Sequence, residues 1–111
     1  MSSTRLQLHN KLKQINPNVY YQPLENVKLV YPCIIYELAD ITSVYASNTK
    51  YMQKYTYNIS AIYKNPDAPI VEQILDAFDY IDVNRFVTVD NLYHAYFNIT
   101  ILRATEEETN G

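Results

Sequence analysis

"YMQKYTYNISAIY", residues 51–63, decides the fold. Tyr51, Tyr55, Tyr57, Ile59, Ala61 and Tyr63 lie on one parity, and Lys54, Thr56, Asn58 and Ser60 on the other, with Lys64 following in step. Successive side chains of extended backbone point to opposite faces, so a repeat of two marks a strand with one face covered and one wet. Gln53 and Ile62 break the pattern. Upstream, "YPCIIYEL" (residues 31–38) is rich in β-branched and aromatic residues, and Pro32 suits a strand start or edge. Ile34, Tyr36 and Leu38 would share one face. The polar stretch "ASNTK" (residues 46–50) lies between the two runs, which predicts a long β-hairpin whose outer end, around residues 43–52, projects beyond the core.

Outward from this hairpin the period changes twice. Leu8, Leu12 and Ile15 recur at helical spacing, and Thr4 with Gln7 has capping-box spacing. Pro17 disfavours α geometry in the residue before it, so this helix should stop at Asn16. "VYYQP" is a short extended piece without an evident partner. In "KNPDAPIVEQILDAF" (residues 64–78), Asp67 suits a cap, Pro69 a first helical turn, and Ile70, Ile74, Leu75 and Phe78 one apolar stripe. "RFVTV", a turn at Asp90 and Asn91, and "LYHAYFNITIL" make a second hairpin. Its inner face would carry Tyr93, Ala95, Phe97, Ile99 and Ile101. The predicted fold is α+β: an antiparallel sheet of about four to five strands, two helices packed on one face, and the other face open. Residues 1–103 read as a single domain. Residues 104–111, with Glu106, Glu107 and Glu108, read as a disordered, solvated polar tail.

Composition narrows the function classes. Nine Lys plus Arg against twelve Asp plus Glu give a formal charge of −3, which disfavours a broad phosphate-binding face. The single cysteine, Cys33, excludes an internal disulfide, and two distant histidines make no zinc pattern. Cys33 is expected to be a small buried hydrophobe. The only glycine is Gly111, so glycine-dependent phosphate loops are excluded. No run of about 18 apolar residues occurs, and the expectation is a soluble chain with no membrane partner, made in a reducing cytoplasm. Twelve tyrosines without a tryptophan fit either a half-wet interaction surface or an AT-rich coding sequence.

Candidate chemistry is sparse. Asp90 and His94 could pair as carboxylate and base, but four residues of strand span roughly 13 Å at about 3.3 Å each, so only a turn would join them. Asp76, Asp79 and Asp82 depart from the spacing of a calcium loop and lack its glycine; a solvated helix end is the simpler reading. His9 reads as an exposed helical residue. Sheet tyrosines near Lys50, Lys54 and Lys64 could stack single-stranded bases, against which stand the negative charge and the absence of a basic cluster. The expectation is no catalytic, metal or cofactor site. The interface is placed at Tyr51, Tyr55 and Tyr57 and at the hairpin tip, Ser47, Asn48, Thr49 and Lys50. Asp90, Asn91 and His94 are assigned to a structural turn, with His94 making a hydrogen bond that pins the turn or a neighbouring subunit.

Three ordered blocks, "VYYQPLENVKLVYPCIIYEL", "KYMQKYTYNISAIYKNPDAPI" and "NRFVTVDNLYHAYFNITI", together running from about Val19 to Ile101, resemble the short tail-completion, or tail-terminator, proteins of tailed bacteriophages. In that family a "YPCIVY" strand leads to a tyrosine-rich strand, a Pro-Asp turn and a closing segment that includes a histidine. Here "KNPDAP" replaces an acidic residue ahead of the proline, and "DNLYH" places tyrosine where asparagine often precedes the histidine. The resemblance implies a non-enzymatic virion protein at the head-tail junction. It would cap the tail tube as a homo-oligomeric ring, commonly a hexamer, and contact the tail tube protein and the head-neck connector protein. A head-completion or neck protein of the same gene cluster is the alternative, and a single-stranded nucleic-acid-binding module a more distant one.

Overall fold

The computed structural model describes residues 3–22 and 28–104. Its elements run α1 (Thr4–Ile15), β1 (Val19–Tyr21), β2 (Cys33–Ala46), β3 (Thr49–Tyr63), α2 (Ile70–Ala77), β4 (Ile81–Val89) and β5 (Leu92–Ala104). The five strands form one sheet in the order β1-β2-β3-β5-β4. β3 lies at its centre, antiparallel to β2 on one side and to β5 on the other. β1 runs parallel to β2, pairing Val19 with Ile34 and Tyr21 with Tyr36. The sheet is therefore mixed and not purely antiparallel. A parallel neighbour needs a connection that returns the chain to its starting end, and residues 22–32 come close to the dozen or so that such a crossover takes.

The tyrosine parity of β3 faces the helices. Tyr57, Ile59, Ala61 and Tyr63 join Ile34 and Tyr36 of β2, Ala95, Phe97 and Ile99 of β5, Leu8 and Leu12 of α1, and Ile70 and Ile74 of α2 in one buried cluster. Both helices thus pack on one face, as expected. Burying a Leu, Ile or Phe side chain contributes roughly 1.5–3 kcal/mol, so this layer dominates the stability of the domain.

The opposite face is closed at one end. Cys33, Ile35 and Ile62 form a second buried cluster against Tyr20, Leu29, Tyr31 and Leu92. Ile62 breaks the alternation of β3 because it belongs to this cluster. Cys33 is fully buried, and burial pushes its thiol up to about 11, which keeps it protonated and inert at neutral pH.

Helix boundaries differ from the sequence expectation in their caps. Ser3, one residue before Thr4, caps α1 by accepting from the Leu6 amide. Asn16 ends α1 in extended geometry ahead of Pro17, as expected. Asp67 does not cap α2: its amide donates to the Asn65 side chain in the preceding turn, and Pro69 occupies the cap position without a side-chain bond. β5 extends through Ala104, and the rest of the expected polar tail lies outside the described residues.

Both hairpins close through two-residue turns built without glycine. Ser47 and Asn48 have φ of 55 and 62°, and Asp90 and Asn91 have φ of 54 and 64°. Two consecutive positive φ values match the right-handed twist of the flanking strands, and Asn and Asp tolerate that region because their short polar side chains bond locally. Ser47 is the least suited of the four. Replacing Ser47 with Gly should raise unfolding stability by about 1 kcal/mol, whereas Ser47→Val should lower it by at least as much, read from urea denaturation midpoints. The reverse order would contradict the turn geometry.

Candidate interface

Bulges decide which side chains of the outer hairpin are available. Leu38 pairs with Tyr57 but Asp40 with Thr56, leaving Ala39 as an extra residue on β2. The insertion switches parity, so Ile41, paired with Tyr55, continues the face begun by Ile34, Tyr36 and Leu38. Nearer the tip, Val44 pairs with Met52 and Tyr45 with Lys50, which leaves Tyr51 as the extra residue on β3. Tyr51 therefore stands out of the ladder and is 45% exposed. Ser47, Asn48 and Thr49 are exposed and Lys50 partly so. These five expected interface residues form one continuous tip.

Tyr57 is a correction to the expected interface. It is only 2% exposed, under the helix layer, because its parity is that of Ile59 and Ala61. Burial, with the neighbouring tyrosines Tyr21, Tyr36 and Tyr55 adding to it, pushes its hydroxyl up to about 12. Tyr55 is half-buried at the border of the same cluster. The rings of β3 that might have stacked bases are thus turned largely toward the helices.

Beyond Tyr36 no further strand lies beside β2 among the described residues, and β4 forms the opposite edge of the sheet. Leu38, Ile41 and Tyr45 along β2, Leu102 on β5, and Val83, Phe86 and Val89 along β4 are exposed. β4 carries its own extra residue, Asn84, between Val83 and Arg85. Bulges of this kind twist an edge and discourage unspecific strand addition.

The wet face carries a cross-strand polar row. The Asn98 side-chain amide donates to Asn58 Oδ1 at 2.7 Å, and Asn58 in turn to Glu37 at 3.4 Å. On the same face of β5 the His94 ring stacks on Tyr96 at 6.1 Å, and the Arg85 guanidinium lies 5.0 Å from the Tyr96 ring centre. His94 takes its place in the ladder between Ile62 and Val87, and its side chain makes no hydrogen bond to Asp90. Within the chain the ring is placed by stacking on Tyr96, and no His94 side-chain hydrogen bond pins the turn among the described residues. Asp76, Asp79 and Asp82 are exposed, and among the described residues no group of three or more His, Cys, Asp or Glu is placed to hold a metal ion.

Sequence reasoning missed the polar network under α1. Tyr36 is fully buried, yet its hydroxyl oxygen lies 3.2 Å from Arg5 Nη1 and 2.8 Å from His9 Nδ1. Arg5 can only donate, so the Tyr36 oxygen accepts from it, and the hydroxyl shares a second hydrogen bond with His9 Nδ1 whose direction is set by the histidine tautomer. Three polar groups are thereby satisfied at the helix-sheet seam. The signal was present in the sequence as Arg5 and His9 at i and i+4, one face of a helix, but nothing in it named the tyrosine they meet.

Comparison of the chain with protein-family models and with curated proteins gives no match.

Burial, Arg5 and Lys13 together lower the pKa of His9 below its ordinary 6.5. The unfolded chain therefore takes up this proton first as pH falls, and the folded state loses stability from about pH 6.5 downward until His9 itself protonates. The urea midpoint should fall between pH 7 and pH 5 more steeply for the native chain than for His9→Gln. Equal slopes would show that His9 is not held neutral by this site.

Proposed function

We propose that the chain is a structural protein of a tailed-phage particle, which completes the tail tube as a ring of identical subunits and joins it to the head-neck connector. The observation that carries this reading is the outer half of the β2–β3 hairpin. Leu38, Ile41, Tyr45 and Tyr51 stand exposed there on hydrogen-bonded strands, with Leu102 of β5 exposed beside β3, and no residue of β2 after Tyr36 joins the buried core. Soluble chains seldom display this much apolar surface on rigid strands unless something covers it. The three sequence blocks that resemble tail-completion proteins support the same reading and supply the particle. A ring requires two different surfaces that meet by rotation, and the hairpin edge on one side of the sheet and the β4 edge on the other provide such a pair.

Light scattering and negative-stain microscopy of the purified chain test this reading. The expected result is a closed ring of six, with the same protein detected at the head-tail junction of intact particles. A stable monomer that is absent from particles would contradict it.

A further inference from the structure

A cavity of about 420 Å³ opens between the start of α1 and the helix-side face of the outer hairpin. Arg5 lines it from α1 and Arg103 from β5, together with Ser3, Tyr21, Leu38 and Tyr55. Arg5 donates to the Tyr36 hydroxyl and lies 5.2 Å from the Tyr21 ring centre. Arg103 donates to Gln53 Oε1 at 2.6 Å. Each guanidinium has five N–H donors, so these contacts leave most of them unused. Among the described residues neither arginine meets a carboxylate and no acidic side chain lines the cavity. Two guanidiniums that share one cavity with no carboxylate beside them among the described residues are unusual in a chain of net charge −3. Planar forked donors of this kind fit carboxylates.

We propose that this cavity receives the acidic segment Glu106–Glu108 of a second copy of the chain. Charge complementarity selects this segment: it places three consecutive carboxylates just beyond the last strand. Strand direction selects a second copy. β5 passes from Ile101 beside Tyr55 to Arg103 beside Gln53 and Ala104 beside Met52, so it leaves the cavity toward the hairpin tip. The inference rests on the ring reading and names the contact that would tie adjacent subunits together.

The test compares the full chain with a form ending at Ala104, and uses a labelled peptide of residues 104–111 as probe. The full chain should assemble, and the shortened form should dissociate at least tenfold more readily. The peptide should bind the shortened form, with binding weakened by added salt and abolished by Arg103→Glu, a substitution at the cavity rim away from the Tyr36 network. Circular dichroism verifies that Arg103→Glu stays folded. A full chain in which Glu106, Glu107 and Glu108 are changed to Lys should assemble with Arg103→Glu better than with the native chain. If the shortened form assembles as well as the full chain, the tail contact is wrong while the ring survives. If peptide binding ignores Arg103→Glu, the cavity is wrong. A full chain that is monomeric at all concentrations overturns both.

Discussion

The alternation of β3 under two-sided pairing is the constraint on which the rest of the molecule depends. From Met52 to Tyr63 this strand is bonded to β5, and along most of the same length to β2. A slip of one residue would send Tyr57, Ile59 and Ala61 to the wet face and Asn58 and Ser60 under the helices, at a cost of several buried side chains and unpaired polar groups. With the face of β3 fixed, Ile34 and Tyr36 on one neighbour and Phe97 and Ile99 on the other have only one orientation available, and α1 and α2 have only one face to cover. The Arg5–Tyr36–His9 network then sets where α1 docks, because a buried hydroxyl must find its partners.

What was legible in the sequence follows from this constraint. Residues 51–63 and 92–102 keep their period over most of their length and both read correctly as strands, and for 92–102 the inner face was read correctly too. β4 was read only as "RFVTV" although it begins at Ile81. Asn84 is the extra residue of a bulge, so Val83 and Phe86 share a face across a spacing of three and the period disappears. Ala39 has the same effect on β2, which hides its outer half from pattern reading. Assigning Tyr57 to an interface failed for a different reason: tyrosine is compatible with both core and surface, and parity shows that a face exists but not which layer covers it. The parallel pairing of β1 was illegible because three residues carry no period, and the network at Tyr36 was illegible because it joins residues far apart in the chain.

Two regions with different energetics share the one sheet. The inner region lies under both helices and is held by the larger buried cluster. The outer hairpin keeps its backbone bonds but gains little burial, and exposes apolar side chains along an edge beside which no further strand lies among the described residues. Local opening is governed by how much burial must be undone, so the two regions should differ strongly in the free energy of opening. On the proposed ring reading, such an outer region is preformed in the subunit and gains its remaining burial on assembly.

Amide hydrogen exchange followed from dilute to concentrated protein tests this division most directly. At concentrations that keep the chain monomeric, the amides of Tyr57, Ile59, Ala61 and Phe97 should exchange last, and those of Thr42 to Tyr45 and Tyr51 to Gln53 far earlier. On assembly the outer amides should slow selectively. Outer amides as protected as Ile59 in the monomer, or unchanged on assembly, would contradict it.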